Sequence, residues 1–363
     1  MSKKPITYTS SGYDFYSKSQ YFEDIITRIS NVKKGGRVSL ATMSYDSEDP
    51  YVNRINQALV AAASRGVKVI LMVDAFIFLT NEGILPGPLF YRKKLPSKVR
   101  GKFRTNKISL DALEKAGGSY VVTNLPSRPF TLPFIGRSHI KFGIINDRVY
   151  IGGCNLSDTK QIDIMTGWDD KKTADYLFNL AEKTLEIGSL AKVLNGKDTS
   201  IDLENGAKIY IDSGEAGRSV IYETALSMID AAEKQLYFIC KYFPNDKTVE
   251  KLAAASKRDV DIDLIFNHPS KNAFPFNLLH YFVLYSEKII RPRALFSGQL
   301  PKSNNYLHAK LLVTDDGTLI GSHNYVAAGV KFGTAEIALM HPDPSFGRMA
   351  IQTLGSLIRE KNI

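Results

Sequence analysis

The chain has 363 residues, 44% of them hydrophobic, which is enough for one large core or two fused ones and excludes a disordered chain. Its formal charge of +10 favours polyanions, whether nucleic acid, anionic headgroups or phosphate-bearing substrates, without choosing among them. Only Cys154 and Cys240 are present, which excludes a disulfide framework and a cysteine-built metal cluster.

The opening MSKKPITYTSSGYDFYSKSQ has no apolar core of the secretory kind. The longest apolar run, 67–79, is interrupted by Lys68 and Asp74 and is too short to span a bilayer. These features lead us to expect a cytoplasmic protein, soluble or peripheral at a membrane.

In chain order, Phe22, Ile25, Ile26 and Ile29 predict a helix that stops at Gly35-Gly36, followed by a strand from Val38 to Met43. Asp49 can cap a second helix that begins with Pro50 and turns Val52, Ile55 and Leu59 inward. AAASRG then leads into the strand VKVILMVD. Tyr176, Leu177, Leu180 and Ala181 mark a helix before the polar stretch 195–206, read as a seam.

Beyond the seam the order repeats: a helix with Ala225, Met228, Ile229 and Ala232, the strand QLYFIC, a helix containing AAASKR, and the strand VDIDLIFN. Ile351, Leu354 and Ile358 close this half as the earlier helix closes the first. The expected fold is α/β in two fused halves, 1–195 and 207–363, each a mixed, mostly parallel sheet flanked by helices, with the site at their interface.

Each half carries a matching segment, SHIKFGIINDRVYIGGCN and LHAKLLVTDDGTLIGSHN. His139, Lys141 and Asn155 in the first have the same spacing as His308, Lys310 and Asn324 in the second. Residues two apart on a strand face one way, so each histidine projects with its lysine. Each half then offers an imidazole, a cation and a neutral donor. A phosphodiester needs these groups: one imidazole attacks, lysines and asparagines hold the phosphoryl oxygens, and a second, protonated imidazole serves the leaving oxygen. One ring must begin neutral and the other charged.

These segments resemble the paired H-x-K-x4-D…G-[GS]-x-N signatures of the phospholipase D superfamily, and GGCNLSD is similar to the corresponding segment of cardiolipin synthase-type phosphatidyltransferases. The resemblance implies that His139 is the nucleophile forming a phosphohistidine and that His308 is the general acid and then base. Lys141, Lys310, Asn155 and Asn324 would hold the phosphate, and Ser322 fits the family's Gly-Ser position, taken by Gly153 in the first motif. One departure is Asn146, which stands where the second motif has Asp315; the adjacent Asp147 is a candidate to substitute for it.

Each imidazole also needs an acceptor to fix its far nitrogen. Glu336 matches the family's carboxylate location, and Asp163 is the candidate in the first half. No cofactor and no metal site is expected, since no carboxylate or histidine cluster has ligand spacing.

The stretch 83–110 contains eight Lys/Arg and no Asp or Glu, and the second half has no similar stretch. Leu89, Phe90 and Tyr91 beside Arg92, Lys93 and Lys94 suit an anionic membrane surface. The aromatic stretch 273–285 suits an acyl-chain groove or a core. The function expected is that of a phosphatidyltransferase or phospholipase D-type hydrolase, a single chain sufficing for catalysis. A metal-independent endonuclease on nucleic acid is the alternative, and a non-catalytic lipid-binding scaffold a third class.

Overall fold

The computed structural model describes residues 8–10, 12–78, 97–124, 135–157, 160–271, 276–290 and 306–361. The first half runs β1 (Tyr8–Ser10), β2 (Tyr13–Ser17), α1 (Lys18–Asn31), β3 (Arg37–Thr42), α2 (Pro50–Ser64), β4 (Lys68–Asp74), α3 (Ser97–Lys115), β5 (Ser119–Thr123), β6 (Phe142–Ile145), β7 (Arg148–Gly152), β8 (Ile164–Asp169), α4 (Lys171–Ile187) and α5 (Leu190–Val193). The second runs β9 (Thr199–Asp202), β10 (Lys208–Ile211), α6 (Val220–Ala231), β11 (Gln235–Ile239), α7 (Lys247–Lys257), β12 (Asp261–Ile265), α8 (Phe276–Ile290), β13 (Leu311–Thr314), β14 (Gly317–Gly321), α9 (Ala327–Lys331), β15 (Ile337–His341) and α10 (Pro344–Lys361).

Local chemistry sets the helix starts. Ser17 and Gln20 exchange side-chain and backbone hydrogen bonds in a capping box at α1, which buries Phe22, Ile25 and Ile29. Asp49 caps α2 by accepting from the amides of Tyr51 and Val52, with Pro50 at the first helical position.

The first sheet has eight strands in the order β1-β2-β8-β7-β6-β3-β4-β5, and the second has seven in the order β9-β10-β15-β14-β13-β11-β12. The two orders match strand for strand, β5 being the extra one among the described residues. The duplication read from the sequence is therefore a duplication of topology.

Both sheets are mixed, but the expectation of mostly parallel pairing is corrected. Parallel pairs are confined to β3 with β4, β4 with β5, and β11 with β12. Each of those steps passes through a crossover helix, α2, α3 or α7. β6 and β7 are joined by the tight turn Asn146-Asp147, and β13 and β14 by Asp315-Asp316, which forces antiparallel pairs. The polar stretch read as a seam contains β9, which is the edge strand of the second sheet.

The central core draws on both sheets and on α4 and α10, with Phe15, Phe142, Leu177, Leu307, Ile337 and Phe346 among its members. Phe15 of the first half packs against Phe346 of the second at a centroid distance of 4.7 Å. Two outer cores lie under α1, α2 and α3 in one half and under α6, α7 and α8 in the other.

Part of the basic stretch is helix. Leu110 and Leu113 of α3 are buried in the first outer core, and Asn106 accepts from the amide and hydroxyl of Ser47. Leu89, Phe90, Tyr91, Arg92, Lys93 and Lys94, expected to meet an anionic membrane surface, lie outside the described residues. No helix among the described residues is long and apolar enough to cross a membrane.

Candidate active site

His139 and Lys141 lie in the extended segment entering β6, and His308 and Lys310 in the one entering β13. Ile140 and Ala309, the residues between, enter the core, so each histidine is sent out with its lysine as the two-residue period requires. The two imidazoles meet at the interface of the halves with ring centroids 6.4 Å apart.

The carboxylates cross over. The backbone before His139 forms a β-bridge with the second half, where the His139 amide donates to Ala335 O at 2.8 Å. The next residue, Glu336, accepts from His139 Nδ1 at 2.9 Å. Reciprocally, the His308 amide donates to Ile162 O at 2.8 Å, and the following residue, Asp163, accepts from His308 Nδ1 at 2.6 Å. Because each carboxylate takes the Nδ1 hydrogen, each ring keeps a lone pair on Nε2, the nitrogen available to a substrate.

Gly153 and Ser322 show why one motif carries glycine and the other serine. Gly152 pairs with Met165, and Gly321 with Ala338, so Asp163 and Glu336 stand at the same register relative to the two glycines, and each lies against the residue that follows its glycine. A Cβ on Gly153 would stand 2.2 Å from Asp163 Oδ1, whereas the Ser322 hydroxyl donates to Glu336. The shorter carboxylate therefore sits where a side chain would be, and the longer one meets a hydroxyl.

Lys141 and Lys310 are almost wholly buried, and each donates to the carbonyl of its own histidine. Neither forms an ion pair with a carboxylate among the described residues, so both ammonium groups remain available to an anion. Asn155 Oδ1 accepts from the Ser44 amide at 3.2 Å, which leaves the NH2 end of that amide for a ligand. Asn324 Oδ1 is buried without a partner among the described residues. No group of three His, Cys, Asp or Glu that would hold a metal occurs among the described residues.

Burial pushes His139 down to about 4, with the Lys141 and Lys310 cations adding to the effect and Glu336 opposing it. Burial also lowers His308 well below its ordinary value, aided by Lys310, Lys241 and Lys141. Lys310 Nζ lies 3.0 Å from His308 Nδ1, a contact that disfavours positive charge on that ring. Lys310 itself is lowered to about 8, chiefly by burial. Burial works against ionised Glu336, but the His139 and His323 imidazoles and Lys141 hold it down at about 2. Both imidazoles are thus lowered together, where the sequence leads us to expect one neutral and one charged ring. The dense positive charge of the lysines and the loss of hydration give the reason.

Asn146 does the work of Asp315. Asn146 Oδ1 accepts from the Arg37 amide at 3.2 Å at the start of β3, and Asp315 Oδ2 accepts from the amides of Glu233 and Lys234 at 2.8 Å before β11. Asp147 does not substitute for it: its side chain is exposed and forms an ion pair with Arg37 at 3.3 Å.

Sequence reasoning missed Asp74 and Asn267. Asp74 accepts from the Ser138 amide at 2.8 Å and pairs with Arg137. Asn267 accepts from the Leu307 amide at 2.8 Å and donates to the Leu307 carbonyl. Each pins the residue before a histidine. They close the matching strands VKVILMVD and VDIDLIFN, so the repeat already contained the signal.

A family model described as "Cardiolipin synthase, PLD-like domain" matches residues 225–355. No curated protein sequence matches the chain. Among solved structures, phosphatidylserine synthase from Haemophilus influenzae Rd KW20 superposes with a TM-score of 0.70 at 14% identity, covering 98% of this chain and 87% of that one. Polyphosphate kinase from Porphyromonas gingivalis superposes with a TM-score of 0.52 at 12% identity over 94% of this chain and 49% of the kinase. The matched model takes in the second motif, and the strand orders make the first half its structural duplicate, so the second half is similar to the cardiolipin synthase, PLD-like domain and the whole chain shares the fold of the phosphatidylserine synthase.

Proposed function

We propose that the protein is a phosphodiester-processing enzyme acting on phospholipids, a phosphatidyltransferase or phospholipase D-type hydrolase that works through a phosphohistidine on His139. The observation that carries this reading is the pair of imidazoles 6.4 Å apart, each oriented by a carboxylate from the other half.

Roles follow from charge. Ionised Glu336 fixes the His139 tautomer and favours the positive charge that develops on this ring as Nε2 bonds to phosphorus. His308, surrounded by lysines, is a strong acid once protonated and delivers its proton to the leaving oxygen as the P–O bond breaks. In the second step water or an alcohol gives its proton to His308 and attacks phosphorus, the P–N bond breaks, and His139 is restored. Lys141, Lys310, Asn155 and Asn324 hold the non-bridging oxygens, so the positive charge the reaction needs comes from side chains.

A lipid substrate is favoured by α8. Leu278, Leu279, Phe282 and Tyr285 form one apolar face of this helix and are 61, 58, 72 and 58% exposed. The stretch read as an acyl groove or a core is thus a two-faced helix. Its inner side places His280 Nε2 to accept from the Phe243 amide, in the loop that leaves β11 toward the site. An exposed apolar helix face suits a membrane interface, and Leu89, Phe90, Tyr91, Arg92, Lys93 and Lys94 would add apolar and basic contacts to that interface.

The test is one purified preparation assayed in parallel on phosphatidylglycerol vesicles and single-stranded DNA, both with EDTA. Turnover of the lipid that is lost in His139→Ala supports the proposal. Turnover of DNA alone, or lipid turnover that EDTA abolishes and metal restores, overturns it. Vesicle sedimentation across a salt series adds a second reading. Neutralising Arg92, Lys93 and Lys94 should cost up to roughly 1 kcal/mol each at low salt, and changing Leu89, Phe90 or Phe282 to Ser should weaken the salt-resistant part.

A further inference from the structure

The halves agree around the imidazoles and differ beside them. Ala41 pairs with Phe142 and Ile239 with Leu311, each partner standing three residues after its histidine. Met43 and Lys241 therefore occupy the same place in the two halves. Arg137 and Tyr306 likewise correspond, each two residues before its histidine, as do Asp74 and Asn267 through the pairs Ala41 with Met72 and Ile239 with Ile265.

In the first half the cation at this level is Arg137, which is buried and neutralised by Asp74 at 3.2 Å. In the second half the acid is replaced by the neutral Asn267, and the cation is Lys241. Its ammonium lies 4.8 Å from the ring centroid of Tyr242 and 5.3 Å from that of Tyr306. No carboxylate among the described residues forms an ion pair with it. Tyr306, His308 and Lys310 alternate with the core residues Leu307 and Ala309, so Tyr306 projects to the same side as His308 and holds Lys241 there.

We infer that Lys241 is a third cation of the phosphate site, held by Tyr242 and Tyr306 to meet an anionic oxygen of the bound phosphodiester on the His308 side. The inference rests on the reading of this site as one for phosphodiesters. Neutral tyrosines hold an ammonium through ring and hydrogen bond without neutralising it, unlike a carboxylate, so the half-buried charge has no countercharge paired with it among the described residues. Met43 at the corresponding place makes the site asymmetric, with the extra charge beside the ring assigned to the leaving oxygen. Lys241 also adds to the lowering of His308, which comes first from burial and from Lys310, so an anion bound at this lysine would favour a proton on that ring.

The experiment follows inorganic tungstate binding by calorimetry and His308 titration by NMR of labelled imidazole, in wild type, Lys241→Met and Lys241→Arg. Expected results are a tungstate affinity about tenfold weaker or worse in Lys241→Met, an upward shift of the His308 titration, and near-wild-type behaviour of Lys241→Arg. A folded Lys241→Met variant with unchanged tungstate affinity overturns the inference, as does a wild-type protein that binds no tungstate. If Lys241→Met does not fold, Tyr306→Leu, which removes one of the two rings, must weaken tungstate binding, or the inference fails. Tungstate binding that depends on Lys241 in a protein that turns over no phosphodiester leaves the inference standing and refutes the proposed activity instead.

Discussion

Asp163 takes the Nδ1 hydrogen of His308 at 2.6 Å, although the two belong to different halves of the chain. Glu336 and His139 repeat the relation in the opposite sense. Neither half by itself holds a histidine with its orienting carboxylate, so the interface is part of the site and not merely the place where it lies.

Replacing either carboxylate by its amide should therefore disable a histidine encoded in the other half. Asp163→Asn and Glu336→Gln keep shape and remove the charge that fixes the imidazole tautomer. We expect kcat to fall on the order of 10²–10⁴-fold with the melting temperature nearly preserved. Steady-state kinetics beside thermal unfolding measures both, and wild-type kcat in either folded variant contradicts the assignment.

His139→Ala and His308→Ala should each abolish turnover without unfolding the chain, since the proposed mechanism uses one nucleophile and one acid. A His308 variant supplied with an activated substrate should accumulate a phosphorylated residue at His139, stable at neutral or alkaline pH and lost in acid. Peptide mapping that finds the adduct on His308 reverses the two roles.

The depressed histidines predict two effects of pH. Unfolded His139 gains a proton at its ordinary value of 6.5 and the folded form only at about 4, so between these values the unfolded chain binds more protons and stability falls on acidification. His139→Ala should flatten the dependence in that window, as read from urea midpoints. Because His308 is also lowered well below its ordinary value, binding of a phosphate analogue near neutral pH should take up a proton. Calorimetry in buffers of different ionisation enthalpy measures the uptake, and a value of zero argues against a protonated His308 in the complex.

Gly153 has no room for a side chain. In Gly153→Ser the new Cβ meets Asp163 Oδ1, and we expect destabilisation of about 1–3 kcal/mol with a loss of activity, because the displaced carboxylate is the partner of His308. Ser322→Gly should be the milder change, since it removes one hydrogen bond to Glu336 and inserts nothing.

Asn146 should tolerate the acid found in the other half. Asn146→Asp keeps the acceptor for the Arg37 amide and should retain activity within about twofold, whereas Asn146→Ala leaves that amide without its acceptor and should cost about 1 kcal/mol. Urea midpoints of the two variants test the difference.

The repeated elements α1, β3, α2 and β4, and α6, β11, α7 and β12, were legible because periodicity, caps and the repeated AAAS segments are local properties of the chain. The two His-x-Lys-…-Asn sets were legible for a related reason: a fixed spacing along two hairpin strands, repeated, places the same groups twice. Sheet order and strand sense were only partly readable, since the sequence shows that strands alternate with helices but not which neighbours a tight turn pairs.

Only the tertiary structure decided which carboxylate serves which histidine. Asp163 and Glu336 differ in spacing from their motifs by the length of a loop, and the strand register, not the count of residues, makes them equivalent. Their crossing depends on β-bridges between halves, long-range contacts that no local pattern records. The same holds for Lys241, one more lysine of a basic chain until Tyr242 and Tyr306 are brought around it. Charge was readable from composition; which charges are neutralised depends on distances that exist only after folding.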